Sequence, residues 1–212
     1  MGKLDFFLGL EAKRSQKGLL LSQTKYASDL LHKLNMQDCK SVFTPMVVGS
    51  NFFPRDSPVF DKPTMYTSVI GALQYLTLTR LDLSYAINKS SQFLKEPTQL
   101  QWQAVKRVLR YIQGTLEYGL MFKPSLILNL EVFSNADWAG NLEYKRSTSG
   151  YCIYLEGNLV QWSSKKRRVV AFSSTESKYE ALSQATTKVK WLRSLFSELD
   201  LEWFSQAVIV EE

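Results

Sequence analysis

Apolar residues along this chain change their spacing more than once, and each change marks a different kind of element. Short apolar runs at 6–10 and 18–21 flank the charged stretch Lys13-Arg14-Ser15-Gln16-Lys17. That is the pattern of a β-hairpin with the charged stretch as its turn. Tyr26, Leu30 and Leu34 then recur every four residues and predict a short helix over 23–35. Residues 44–65 carry four of the six prolines, Pro45, Pro54, Pro58 and Pro63, and read as a loop or linker. Helices are expected over 65–78, 83–94 and 100–113. In the last of these Trp102, Val105, Leu109 and Ile112 form an apolar stripe, with Lys106, Arg107 and Arg110 on a solvated face.

The final third has a different period. Leu126, Leu128, Leu130 and Val132 alternate with other residues, as a half-buried strand does. Residues 150–155 and 159–162 flank Glu156-Gly157-Asn158, a hairpin turn. Ser173 and Glu176 have the spacing of a capping box opening a long helix. Tyr179, Leu182, Ala185, Val189, Leu192, Phe196 and Leu199 form its apolar stripe. The run Ala207-Val208-Ile209-Val210 is a further strand. The order strand, strand, strand, helix, strand gives an α+β class.

Composition narrows the chemistry. Lys and Arg exceed Asp and Glu by 26 to 20, a net +6 that suits a polyanionic partner or a mildly basic solvated surface. Cys39 and Cys152 are far apart and form no CxxC pair, so a zinc site is not expected and the thiols read as inert. His32, the single histidine, reads as a helix-surface residue, and no Ser-His-Asp arrangement is legible. The start lacks the apolar run of a signal peptide, and no stretch reaches the ~18 apolar residues of a membrane span. An intracellular location, cytoplasmic or nuclear, with no membrane partner, is the expectation. Oligomeric state is not legible.

Several segments, taken in order, resemble the Pol polyprotein of copia-type retrotransposons. Leu4-Asp5-Phe6-Phe7-Leu8-Gly9-Leu10 and Leu21-Ser22-Gln23-Thr24-Lys25-Tyr26-Ala27 resemble the end of its reverse transcriptase, and Thr44-Pro45-Met46 a segment that follows. The stretch from Tyr66 through Leu76 and that from Lys106 through Thr115 resemble the connecting region. Asp137-Trp138-Ala139-Gly140, Arg146-Ser147-Thr148-Ser149-Gly150-Tyr151 and Trp162-Ser163-Ser164-Lys165-Lys166 resemble the RNase H portion. The resemblance implies four stretches: a reverse-transcriptase end of hairpin plus helix over 1–46, a linker over 47–65, a helical connecting region over 66–122 and an RNase H-like domain over 123–212. The last is expected to be a mixed sheet with one long helix, ending short of a further acid of that fold. The polymerase's Tyr-x-Asp-Asp motif is expected upstream of Met1, so DNA synthesis by this stretch alone is not expected.

The resemblance also implies a reaction, cleavage of RNA in an RNA–DNA hybrid by two magnesium ions on clustered carboxylates. Its first carboxylate position holds Asn135, its second Lys178, and its third falls at Glu211 or Glu212. Asp137 lies about 6.6 Å beyond Asn135 on the same strand face, a weak stand-in for one ion. Glu176 and Glu180 sit about 200° around the helix from Lys178 and offer no rescue. A lysine ~4 Å from a dication is repelled by about 8 kcal/mol at an effective dielectric of 20. Loss of catalysis and of magnesium, with no other cofactor, is therefore the expectation. Two further readings stay open. One is residual binding of RNA–DNA hybrid or other nucleic acid through Lys145, Arg146, Lys165, Lys166, Arg167, Arg168 and Lys178. The other is reuse of the fold as an interaction scaffold. Trp102, Trp138 and Trp162 read as core anchors rather than base-stacking platforms.

Overall fold

A computed structural model of the chain describes residues 5–47, 57–125, 129–139, 146–200 and 208–211. The chain divides into two compact units, Met1–Met121 and Phe122–Glu212. Both contain helix and sheet, so the α+β class holds.

In the first unit the strands are β1 (Phe6–Phe7), β2 (Leu10–Ser15), β3 (Gly18–Ser22) and β4 (Gly119–Phe122), in the order β1-β2-β3-β4. The predicted hairpin is present, but its turn is only Gln16-Lys17, with Ser15 facing Gly18 across the register. Lys13 and Arg14 belong to β2, because exposed strand positions tolerate charge. What sets a turn is backbone conformation, and the φ of +131° at Gly18 is open to glycine. The run at 6–10 is likewise not one strand. Leu8 and Gly9 both have positive φ, 46° and 74°, the requirement of a tight two-residue turn that folds β1 onto β2. At Gly119 a side chain is excluded outright: a Cβ would lie 2.3 Å from the Leu21 carbonyl oxygen.

The helices of this unit are α1 (Thr24–Lys33), α2 (Pro63–Leu76), α3 (Ser84–Ser90) and α4 (Gln99–Gln113). His32 is exposed on α1, as expected. The described end of the predicted linker is more ordered than its prolines suggested. Pro63 opens α2, where its missing N–H costs nothing. Phe60 is buried and stacks on Trp102, with ring centroids 4.9 Å apart. Val59 bridges to Thr98, and the Phe60 N–H donates to Pro97 O at 2.8 Å. Residues 48–56 of that linker lie outside the described residues. The single helix expected over 83–94 is a 3-10 turn at Leu81–Leu83, then α3, then a second 3-10 turn at Ser91–Phe93.

One core joins these helices through Leu31, Tyr66, Ile70, Leu73, Leu83, Ile87, Leu109 and Ile112. Each such aliphatic side chain contributes about 1.5–3 kcal/mol by leaving water. Arg80 fastens the core's rim. It is 3% exposed and donates to both Asp82 oxygens at 3.0 and 2.8 Å. It also donates to Thr115 O at 2.9 Å and Thr115 Oγ1 at 2.7 Å. Its guanidinium lies 5.6 Å from the Tyr111 ring centroid and 5.4 Å from that of Tyr118. The end of α2 is thereby tied to the turn after α4.

In the second unit the strands are β5 (Leu130–Asp137), β6 (Thr148–Leu155), β7 (Asn158–Lys166) and β8 (Val208–Glu211), with α5 (Ser174–Glu198) between β7 and β8. The sheet order is β7-β6-β5-β8. The first three strands form an antiparallel meander, and β8 lies parallel to β5. Leu126 and Leu128, expected in the first strand, and Ala207, expected in the last, lie outside the described residues. Glu156 and Gly157 make the β6–β7 turn with φ of 48° and 70°.

The helix stripe differs from its prediction at both ends. Ser177, Ala181, Ala185, Val189 and Leu192 are buried, whereas Tyr179 and Leu199 are 65% and 58% exposed. Small side chains at 177 and 181 let the helix approach the sheet closely, and hydropathy alone ranked the bulky Tyr179 above them.

Two outcomes follow for stability. Arg80→Ala leaves Asp82 and Thr115 without their partner and should destabilise the fold by about 3 kcal/mol in equilibrium urea unfolding. Arg80→Lys should recover less than half, because an ammonium cannot fork onto Asp82 and Thr115 together. Ser173, the N-cap of α5, accepts the Glu176 N–H at 3.1 Å. Ser173→Ala should cost about 1 kcal/mol and Ser173→Gly a few tenths, read as shifts of thermal midpoint.

Candidate functional site

The end of β5 and the start of α5 carry the residues singled out in sequence. Along β5, Leu130, Val132 and Ser134 are buried, while Asn135 and Asp137 are exposed. The register sets Asn135 against Gly150 and Asp137 against Thr148 on β6, with Ser164 and Lys166 next in line on β7. On the other side, β8 places Glu211 beside Ser134, one residue before Asn135. The sheet thus brings the backbones of positions 135, 137 and 211 to one end. Glu212 and Lys145 lie outside the described residues.

Hydrogen bonds knit the approach to α5 onto that end. The Arg167 N–H donates to Ser147 O at 2.9 Å. Trp138 Nε1 donates to Ala171 O at 3.1 Å, and Phe172 N donates to Glu176 Oε2 at 2.6 Å. The capping box is present in a shifted form: Glu176 reaches back to Phe172, one residue short of the N-cap. Ser147 and Ser177 are fully buried beneath this loop, which leaves little freedom in how the helix begins.

The two acids of the first turns of α5 already have tasks. Glu176 caps α5. Glu180 receives Arg167 Nε at 2.9 Å and Nη2 at 2.8 Å. Asn135 Oδ1 accepts the Ala136 N–H at 2.7 Å. Among the described residues no group of three or more His, Cys, Asp or Glu gathers as a metal site would. Position 135 offers a neutral amide and position 178 a cation, so these donors do not fit a pair of divalent ions that need anionic oxygens.

The basic residues sort by exposure. Lys165 and Arg168 are exposed, and Arg146, Lys166 and Lys178 are partly covered. Arg167 is bound to Glu180, so its charge is largely matched. Of the tryptophans, Trp102 packs against the first core and Trp162 is half-buried. Trp138 is 46% exposed, which corrects its reading as a core anchor. It lies beside a patch that sequence reasoning missed, Val169, Val170 and Phe172, the last 94% exposed. Phe172 directly precedes the capping serine, and that position is the one sequence signal for its exposure. Both cysteines are free thiols, and burial pushes the Cys152 thiol up, which keeps it a poor nucleophile at neutral pH.

No family model and no solved structure matches the chain. Curated relatives do. It is 43% identical over 206 residues to the retrovirus-related Pol polyprotein from transposon RE2 of Arabidopsis thaliana, covering 97% of this chain and 14% of that protein. It is 33% identical over 210 residues to the corresponding polyprotein from transposon TNT 1-94 of Nicotiana tabacum, covering 95% of this chain and 16% of that one. An uncharacterized mitochondrial protein of Arabidopsis thaliana is 42% identical over 191 residues, covering 90% of this chain and 79% of that protein. The chain therefore spans about one seventh of the length of the polyproteins it matches. With nearly all of its own residues aligned at these identities, the chain belongs to the retrovirus-related Pol polyproteins of copia-type transposons.

Proposed function

We propose that the second unit is an RNase H-like framework that no longer cuts RNA, and that this stretch of polyprotein is catalytically silent. One observation carries the reading: Asn135 and Lys178 occupy positions where metal-dependent cleavage needs carboxylates. The arrangement around them supports it. The resemblance implied a mixed sheet with one long helix, and a meander of three strands, then α5, then β8 parallel to β5, is compatible with it. Glu176 and Glu180 are occupied with capping and with Arg167, so neither replaces the missing acid. A lysine beside the position repels the dications that the reaction needs.

A second reading, retained binding of nucleic acid, is favoured by Lys165 and Arg168, exposed cations at the end of β7 and just beyond it. A cation in a disabled metal site attracts a phosphate where the acids of the active family attract a metal. Each phosphate contact made by such a side chain adds to affinity in a salt-dependent way.

The chain should leave a labelled RNA–DNA hybrid intact with magnesium or manganese. Asn135→Asp with Lys178→Glu should bring back measurable metal binding by titration calorimetry, because more carboxylates then face one end of the sheet. Robust cleavage by the unaltered chain, abolished by Asp137→Ala, would falsify the silent-site reading. For the second reading, hybrid binding should weaken steeply between low and physiological salt. Lys165→Gln with Arg168→Gln should lower the slope of log K against log salt by about 2. An unchanged slope rules out those two contacts.

A further inference from the structure

The loop from the end of β7 to the cap of α5 shows apolar side chains to solvent on a backbone that is fastened along its length. Phe172 is 94% exposed, Val169 71%, and Trp138, which reaches the loop from the end of β5, 46%. The Arg167 N–H donates to Ser147 O, which carries the β6–β7 pairing one residue past the strands, and the Arg167 guanidinium is held by Glu180. Ala171 is buried, and its carbonyl accepts from Trp138 Nε1. Phe172 N donates to Glu176, and Ser173 caps the helix next to it. The backbone of 167–173 is therefore fixed, and the Phe172 side chain has no part in the packing that fixes it.

Trp138 and Phe172 are neighbours through one of those bonds, since the indole edge lies against the carbonyl of the residue before Phe172. The one polar atom of the indole is satisfied there, so its exposed part offers a partner ring carbon. Lys165 and Arg168 stand exposed on the same stretch of chain. Glu176 and Glu180 are occupied with the cap and with Arg167, and Asp137 is the exposed acid beside Trp138, outnumbered by the two cations. Aromatic rings next to exposed cations suit unpaired nucleic acid, because bases stack on the rings while the cations hold the phosphates. In a duplex the faces of each base are covered by its neighbours in the stack, so a hybrid offers such rings little. Lipid chains take valine and phenylalanine alike, whereas rings in fixed neighbouring places suit planar bases.

We propose that this loop binds single-stranded nucleic acid, with bases stacked on Phe172 and Trp138 and phosphates held by Lys165 and Arg168. Such binding rests on the second reading above, retained affinity for nucleic acid, and narrows its ligand from hybrid to unpaired strand. It needs no metal and none of the carboxylates that the cleavage reaction calls for.

The test uses the full chain and fluorescence anisotropy with three labelled probes: a single strand of about 12 nucleotides, an abasic strand of the same length and an RNA–DNA hybrid. The abasic strand keeps the phosphates and has no base to stack. The single strand should bind about tenfold more tightly than either, the effect of one stacked base. Phe172→Ala should remove most of that margin, whereas Phe172→Trp should keep it. Phe172→Leu, apolar but without a ring, should behave as the alanine variant does. Because Phe172 is almost wholly exposed, these changes leave the packing alone, and far-UV circular dichroism checks that each variant folds. Equal binding of the abasic strand, or full binding by Phe172→Leu, overturns stacking and leaves the salt-dependent second reading standing. Hybrid binding as tight as that of the single strand overturns the preference for unpaired strand. No binding of any of the three probes overturns the second reading along with this one. Tighter binding to phosphatidylserine vesicles than to the single strand, lost in Phe172→Ala, assigns the loop to a membrane surface and overturns the proposal as well.

Discussion

A stripe of small and apolar side chains, Ser177, Ala181, Ala185, Val189 and Leu192, holds α5 to its sheet. From Ala185 onward it packs on the face of β5 and β6 carrying Leu130, Val132, Tyr151 and Ile153. Most of what the second unit can do depends on that contact. A serine and an alanine at the first two turns permit a close approach that larger side chains would prevent. The capping of α5 by Ser173 and Glu176 fixes where the helix starts, and the stripe fixes its rotation. Together they determine where Lys178 and Glu180 emerge. Glu180 meets Arg167, and that pair ties the end of β7 to the helix.

The same economy occupies two of the acids near the start of α5. A carboxylate that caps a helix or holds an arginine is stabilised as an anion by those partners, and a dication would have to displace them. Glu176 and Glu180 serve the framework, while positions 135 and 178 carry an amide and an ammonium. The core of Leu130, Val132 and Ile153 and the parallel pairing of β5 with β8 are built from other residues.

In the first unit a different contact has the corresponding role. Arg80 is buried at the rim of an otherwise apolar core, with every direction of its guanidinium occupied by Asp82, Thr115 or an aromatic face. A buried charge is tolerated only with such partners. Because Thr115 and Tyr118 lie on the turn after α4, the arginine makes the end of α2 and the end of α4 interdependent. Gln23 adds a smaller tie of the same kind, accepting from Thr79 Oγ1 at 2.9 Å and donating to Tyr75 O at 3.3 Å. Among the described residues Arg107 has only part of such a set, which is what distinguishes it from Arg80.

Element type and order were legible in the sequence wherever a periodic pattern ran long enough. The helix at 174–198, its serine cap, the Glu156-Gly157 turn and the order of the last five elements all follow from residue spacing and turn chemistry, which are local properties of the chain. That positions 135 and 178 carry an amide and a cation was legible as well, and the ordered resemblance marked them as candidate site positions. Contacts between distant segments were not. Phe60 on Trp102, Arg107 on Thr44 and Trp138 on Ala171 join residues that are 33 or more positions apart, and no local pattern encodes them. The misread positions have the same origin. Lys13 and Arg14 sit in a strand, Pro63 opens a helix, and Tyr179 is exposed while Ser177 is buried, because the partner surface decides what each position needs. Sequence spacing determines which residues share a face. Tertiary packing determines which face is covered, since burial depends on what lies opposite, and only the folded chain supplies that.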